Sequence, residues 1–215
     1  MKVLEPSGEH RWTLVFLHGF SMLAEDLEED FRAMQRDHWR ICLPQAPELY
    51  IPPHRECKPA WYAYLTDWEG EKEDEVDMVS LRASRARISG LLSDELRRVG
   101  RGRVLLGGLS QGGCMALDVA TRQPHLCGVC TLVSHRMHAS RHRPLACPWV
   151  ALTAEDDDVF PARWAERAMA GVSERWRVDD DHYLWHADLD EFWTSCFARA
   201  EESLSRPIFL ADGNK

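Results

Sequence analysis

Residues 103–117 read RVLLGGLSQGGCMAL, and they constrain the fold more than any other part of this 215-residue chain. Val104, Leu105 and Leu106 form an apolar run of the kind found in strands buried on both faces of a parallel sheet. Two glycines end the run, and the small and apolar residues after Ser110 suit a helix. The segment therefore predicts a strand, a tight turn at Ser110 and a helix.

Gly108, Ser110 and Gly112 form a G-x-S-x-G motif at that turn. A serine between strand and helix adopts a strained backbone conformation that exposes its Oγ, and the two glycines remove side chains that would crowd it. The N–H groups that open the helix favour a negative charge beside the serine. The motif predicts Ser110 as a nucleophile and the Gln111 N–H as a donor to an oxyanion.

The rest of the chain alternates strands with helices, which predicts one α/β domain over residues 1–215 with a mainly parallel sheet flanked by helices. The active face of such a sheet lies at the carboxyl ends of its strands. The predicted strands are 12–17, 39–43, 104–106, 126–133, 149–152, 175–178 and 183–185. The predicted helices are 21–34, 76–99, 161–170 and 188–203, together with one that begins after Ser110 and is broken by Pro124.

A serine hydroxyl needs a neighbouring base, which a histidine supplies, and a carboxylate holds that histidine in the right tautomer. The chain order Ser, Asp or Glu, His is common on sheets of this kind. The carboxylate comes from residues 155–158 (EDDD), directly after a predicted strand. Asp157, four residues before Pro161, is preferred over Asp156 and Asp158.

Two histidines compete for the role of base. His186 lies two residues before the cap of the last predicted helix, and His182 lies four residues earlier, after three aspartates. We expect His186 to be the base because the third member of such a triad emerges from the loop that enters the final helix. His182 is then a partly exposed residue paired with Asp180 or Asp181.

The second oxyanion donor is expected in the loop after the first buried strand, where residues 18–20 read HGF. The Phe20 N–H is the candidate for that donor. His18 is interpreted as a residue that braces the loop and not as a base.

Composition excludes several classes of function. A formal net charge of −9 disfavours nucleic-acid binding. There is no apolar run of the roughly 20 residues that a membrane helix needs, and the first residues lack the core of a signal peptide. The seven scattered cysteines do not suggest a disulfide framework, so a cytoplasmic location is expected. His135, His138 and His142 lack the neighbours of a zinc site, and no metal is expected.

Several short motifs occur in a familiar order along the chain. Residues 17–19 read LHG, 43–47 LPQAP, 60–62 AWY and 108–113 GLSQGG, and a late histidine follows. Together they resemble the acyl-protein thioesterase, or phospholipase/carboxylesterase, family of α/β-hydrolases. The resemblance implies an α/β-hydrolase fold and a cofactor-independent serine hydrolase acting on acyl esters or thioesters. It implies a triad of Ser110, Asp157 and His186, oxyanion donors at Phe20 and Gln111, and acyl-chain contacts at Trp61 and Leu23.

The expected partner is a small-molecule or protein-linked acyl ester or thioester, with no nucleic acid and no membrane span. The basic loop 134–144 could attract anionic lipid surfaces transiently, and a homodimer is left open. The chain departs from the family pattern at two places. Ser21 stands where the family has a glycine, and the bulky residues 183–185 (YLW) are expected to narrow the site. The alternative is therefore a hydrolase-fold protein that has lost turnover and binds a ligand or partner.

Overall fold

The computed structural model describes residues 1–140, 142–161, 164, 172–184 and 186–202. The strands within these ranges are β1 (Lys2–Leu4), β2 (Trp12–Leu17), β3 (Trp39–Leu43), β4 (Glu48–Ile51), β5 (Glu56–Pro59), β6 (Val104–Leu109), β7 (Gly128–Leu132), β8 (Trp149–Ala154) and β9 (Glu174–Val178). The helices are α1 (Glu28–Ala33), which follows a 3₁₀ turn at Ala24–Leu27, α2 (Met78–Val99), α3 (Gln111–Ala120) and α4 (Asp190–Glu202).

Seven of these strands form one sheet in the order β1-β3-β2-β6-β7-β8-β9. All neighbours run parallel except β1, which is antiparallel to β3. Strands β4 and β5 pair as a separate antiparallel hairpin. The loops that follow β2, β6, β7, β8 and β9 therefore meet at one edge of the main sheet, which is where the predicted site residues fall.

The central strands are apolar on both faces because helices cover the sheet on both sides. Along β2, Leu14 and Phe16 belong to one core cluster, and Val15 and Leu17 belong to the other. The first cluster includes side chains of α1 and α4, and the second includes side chains of α2 and α3. This alternation explains why the strand carries a continuous apolar run.

Helix α2 is the longest of the described helices and leads into the strand that carries the serine. It starts where the Asp77 carboxylate accepts hydrogen bonds from the N–H groups of Val79 (3.2 Å) and Ser80 (2.8 Å). It ends at Gly100, whose φ of 92° suits glycine. Among the residues that the structure describes, no helix has the length and apolar character needed to cross a membrane.

The structure confirms the predicted strands at 12–17 and 39–43 as β2 and β3, and it confirms β6 to β9 with shifted ends. The prediction of a strand at 183–185 is wrong, because Tyr183 and Leu184 follow β9 in a turn and Leu184 has a φ of 56°. Trp185, and all of the predicted helix 161–170 except Pro161 and Trp164, lie outside the described residues.

Candidate active site

Ser110 lies between β6 and α3 with φ 50° and ψ −120°, outside the regions that a non-glycine residue prefers. Two backbone hydrogen bonds hold it there: its N–H donates to the Leu132 carbonyl (2.9 Å), and its carbonyl accepts from the Cys114 N–H (3.0 Å). Such a conformation costs about 1–3 kcal/mol and persists only where the surroundings enforce it. The strained turn directs the half-buried serine toward the carboxyl edge of the sheet.

The glycines of the motif permit close backbone packing around this turn. A methyl group on Gly108 would overlap the backbone of Gly112, and one on Gly112 would overlap the carbonyls of Leu17 and His18. The start of α3 therefore lies directly against the end of β2. The loop after β2 is thereby brought next to the serine.

Ser110, His182 and Asp157 form a continuous hydrogen-bonded chain. The Ser110 Oγ lies 2.7 Å from His182 Nε2. His182 Nδ1 lies 2.9 and 3.0 Å from the two carboxylate oxygens of Asp157. Both partners are buried, His182 with 7% and Asp157 with 9% of their surface exposed. Because a carboxylate accepts only, Nδ1 carries the proton, and Nε2 is free to accept the proton of Ser110.

Further contacts fix the two supporting groups of this chain. Asp157 Oδ1 also accepts a hydrogen bond from the Phe160 N–H (2.6 Å), so His182 and Phe160 together fix the carboxylate. The Phe160 ring meets the His182 ring edge to face, at 5.1 Å between centroids. The imidazole is thus oriented by packing as well as by its hydrogen bonds.

The prediction that His186 faces Ser110 is corrected by this geometry. His186 is exposed, and its backbone N–H donates to Asp180 Oδ2 (2.8 Å). A strand at 183–185, as predicted, would have put His186 at a strand end. The last strand among the described residues is β9, which ends at Val178, and His182 is the first histidine after it.

The loop after β2 brings the second predicted oxyanion donor close to the serine. A methyl group on Gly19 would lie 3.7 Å from the Ser110 Cβ, so the loop borders the nucleophile. The N–H groups of Phe20 and Gln111 have no hydrogen-bond acceptor among the residues that the structure describes. Ser21 adopts a φ of 63°, a value that favours glycine, and its N–H donates to the Pro59 carbonyl (2.9 Å).

Trp61 does not occupy the predicted position in an acyl-binding groove. It has 0% of its surface exposed, so a bound acyl chain could not reach it. Its indole N–H donates to the His18 carbonyl (2.8 Å), and its backbone N–H donates to Gln111 Oε1 (2.8 Å). Trp61 therefore ties the loop after β2 to the first residue of α3, a role that the sequence did not indicate.

Leu23 lies on the loop after β2 with 40% of its surface exposed. Phe20 and Met22 on the same loop are partly exposed, whereas Tyr62 is buried. Residues 20, 22 and 23 therefore present accessible apolar side chains on the loop after β2, whereas residues 61 and 62 are buried.

The loop after β7 contributes one side-chain contact to the serine turn that was not predicted from the sequence. The Ser134 Oγ lies 2.6 Å from the Leu132 carbonyl and 3.1 Å from the Ser110 carbonyl. Val133, between them, has a φ of 41°, which is strained for a β-branched residue. Cys114 is buried near this turn, and burial raises the pKa of its thiol to about 12, so it is not a second nucleophile.

Comparison with known proteins agrees with this architecture. A model of the phospholipase/carboxylesterase family matches residues 1–205. Lysophospholipase-like protein 1 of Mus musculus is 29% identical over 138 residues, which are 60% of this chain and 56% of the mouse protein. Acyl-protein thioesterase 1 homolog 2 of Dictyostelium discoideum is 26% identical over 175 residues, which are 76% of this chain and 78% of that protein.

The fold matches that of solved structures over nearly all of the chain. The crystal structure of Zea mays acyl-protein thioesterase 2 superposes with a TM-score of 0.77 and 19% identity, covering 93% of this chain and 98% of the maize chain. This likeness confirms the predicted α/β-hydrolase fold. The match to the mouse protein spans little more than half of that protein's length. On the family model and the fold together, the chain belongs to the phospholipase/carboxylesterase family.

Proposed function

We propose that the protein is a serine hydrolase that cleaves carboxylic esters or thioesters of acyl groups. The observation that carries this proposal is the chain of hydrogen bonds from the Ser110 Oγ through His182 to Asp157. The family and the names of the relatives, a lysophospholipase-like protein and acyl-protein thioesterases, support an acyl substrate.

In this mechanism the Ser110 Oγ attacks the carbonyl carbon while His182 Nε2 takes the hydroxyl proton. Asp157 stabilises the imidazolium that forms but is not itself protonated. The Phe20 and Gln111 N–H groups donate to the oxyanion of the tetrahedral intermediate. His182 then gives its proton to the leaving alcohol or thiol, and an acyl-enzyme on Ser110 results.

Hydrolysis of the acyl-enzyme repeats the same steps with water as the nucleophile. His182 removes a proton from water, the tetrahedral intermediate forms again, and Ser110 leaves with the returned proton. The chemistry needs no cofactor. The substrate is a small-molecule or protein-linked acyl ester or thioester, and the exposed side chain of Leu23 is the proposed acyl contact.

A cytoplasmic location is part of the proposal. All seven cysteines are free thiols, as expected in a reducing compartment. The homodimer and the transient contact of loop 134–144 with a membrane surface stay predictions.

The test uses an acyl p-nitrophenyl ester, the matching thioester and a fluorophosphonate probe. We expect the probe to label the wild-type protein and not Ser110→Ala. His182→Ala should lower kcat for both esters by about 10³-fold or more, because the serine loses its base. His186→Ala is the matched control and should keep most of the activity. A folded wild-type protein that neither reacts with the probe nor hydrolyses either ester would support the binding protein instead.

A further inference from the structure

We propose that His18 is a positioning residue that fixes the direction of the Phe20 N–H toward the oxyanion. The proposal rests on the function given above, since it concerns the same site. The position of the base is taken by His182, and the ring of His18 is fully buried, with 0% of its surface exposed. His18 contacts Gly19 in the loop after β2, residues 45 and 46, and Trp61.

The His18 ring makes a hydrogen bond to the peptide group that carries the Phe20 N–H. His18 Nδ1 lies 2.8 Å from the Gly19 carbonyl oxygen. That carbonyl and the Phe20 N–H belong to the same peptide group, which is planar. Fixing the carbonyl on one side therefore fixes the direction of the N–H on the other side. Gly19 has no side chain that could do this.

The groups around the other ring nitrogen, Nε2, determine which tautomer His18 adopts. Nε2 accepts a hydrogen bond from the Ala46 N–H (3.0 Å), so it carries no proton. The Gln45 Nε2 lies 3.3 Å from the same nitrogen, and the Gln45 Oε1 accepts from the Ala24 N–H (2.8 Å). The amide of Gln45 thus also presents a donor to Nε2. The single proton of neutral His18 must lie on Nδ1, facing the Gly19 carbonyl.

Burial supports this neutral state. Desolvation lowers the pKa of His18, although the hydrogen bond to Gly19 and the charge of Asp26 oppose the shift. A protonated ring would also place an N–H at Nε2 against the two donors of residues 45 and 46. The neutral ring with its proton on Nδ1 is therefore the form that the fold maintains at neutral pH.

Trp61 connects His18 to Gln111, the residue that carries the other oxyanion donor. The Trp61 indole N–H donates to the His18 carbonyl (2.8 Å), and the two rings pack at 5.1 Å between centroids. The Trp61 backbone N–H donates to the Gln111 side chain (2.8 Å), and that side chain donates to the Tyr62 carbonyl (2.9 Å). The residues that carry the two oxyanion donors, Phe20 and Gln111, are thereby held in one hydrogen-bonded network.

The expected effect falls on kcat and not on KM. The full negative charge on the oxygen exists only in the tetrahedral intermediate and the transition states around it, so a misdirected donor weakens the transition state more than the bound ester. Loss of one oxyanion donor lowers kcat by about 10²- to 10³-fold in comparable enzymes. A donor that is retained but freed to rotate should cost somewhat less, about 10- to 100-fold.

Two substitutions separate positioning from packing. In His18→Asn the side-chain amide N–H takes the place of Nδ1 and can still donate to the Gly19 carbonyl. In His18→Gln the amide reaches the place of Nε2, so the acceptor for Ala46 is retained and the donor to Gly19 is lost. Both variants remove the buried ring, and both should lower the free energy of unfolding by similar amounts.

The experiment measures kcat and KM for the acyl p-nitrophenyl ester, the inhibition constant of an alkyl trifluoromethyl ketone, and unfolding in urea. The ketone forms a hemiketal oxyanion with Ser110 and so reports on the oxyanion donors directly. We expect His18→Asn to keep kcat within a few-fold of wild type. We expect His18→Gln to lose about 10- to 100-fold in kcat and in ketone affinity with KM little changed.

Equal kcat in the two variants, or losses that only follow their stability, would overturn the positioning role. Trp61→Phe provides a second test if either variant fails to fold, because it keeps a ring and removes the donor to the His18 carbonyl. Trp61→Phe should raise the inhibition constant of the trifluoromethyl ketone by a larger factor than it raises KM for the ester. An unchanged inhibition constant would count against the proposal. An inactive wild-type protein would instead refute the proposed function, so the two failures are distinguishable.

Discussion

Asp157 is the residue on which the orientation of the His182 ring depends. Its carboxylate accepts from Nδ1 and from the Phe160 N–H, so it sets both the tautomer and the direction of the ring. In Asp157→Asn the amide can donate to Nδ1, which favours the tautomer that cannot accept the serine proton. We expect kcat for an acyl p-nitrophenyl ester to fall by about 10³- to 10⁴-fold with the fold retained. Asp156→Asn, a change of the neighbouring carboxylate, should leave kcat within a few-fold, and a similar loss in both variants would reassign the carboxylate.

The individual site residues differ in how far the sequence could predict them. Ser110 could be identified because its motif is local: a strand, two spaced glycines and a helix lie within fifteen residues. The choice between His182 and His186 could not be made locally, because it depends on where the last strand ends. Residues 183–185 (YLW) are aromatic and apolar like a strand, but Tyr183 and Leu184 follow the edge strand β9 in a turn. The bracing role of Trp61 depends on contacts with residues 43 and 50 positions away, which no local pattern shows.

At the scale of elements, the join between β6 and α3 depends on glycines that cannot be replaced. In Gly112→Ala the added methyl group would overlap the Leu17 and His18 carbonyls, which belong to backbone that cannot move aside cheaply. We expect a loss of about 2–3 kcal/mol or more in the free energy of unfolding, together with displacement of the loop after β2. Urea unfolding followed by circular dichroism measures the first effect, and the ester assay measures the second.

The matched control for that substitution is Gly90→Ala in the middle of helix α2. Gly90 is exposed, and a methyl group there would meet nothing within 4 Å. Because alanine favours a helix over glycine, we expect the free energy of unfolding to rise by about 0.5–1 kcal/mol. If Gly112→Ala were equally harmless, the close packing of α3 against the end of β2 would not be needed for stability.

The elements themselves were largely predictable because each central strand is buried on both faces and is therefore a continuous apolar run. The short strand β1 and the hairpin of β4 and β5 were not predicted. β1 is only three residues long, and its pairing with β3 is antiparallel and non-local. The hairpin is half-exposed and includes charged residues and proline, so it lacks the apolar pattern that identifies a strand.

For the whole molecule, the partly buried His10 and the fully buried His18 should make the stability depend on pH in the mildly acidic range. Burial lowers the pKa of both His10 and His18 in the folded state. The unfolded chain then binds more protons than the folded chain between the lowered values and the ordinary value of about 6.5. The free energy of unfolding should therefore be highest above pH 6.5 and should fall as the pH drops below it. For fully buried His18 the slope reaches at most about 1.4 kcal/mol per pH unit.

Glu5 and Asp77 act in a pH window below that of the histidines, whereas burial raises the pKa of the Asp74 carboxyl and so has the opposite effect on stability. Ion pairs and hydrogen bonds lower the pKa of Glu5 and Asp77, so the stability that these groups provide is lost only as the pH falls below their ordinary values near 4. Urea unfolding at intervals from pH 7.5 to 5.5 therefore measures the histidine contribution apart from that of Glu5 and Asp77. His18→Asn should show a shallower dependence than wild type over this interval. A wild-type stability that stays constant or rises toward pH 5.5 would contradict the neutral, buried state of His18, and with it the tautomer that directs its proton to the Gly19 carbonyl.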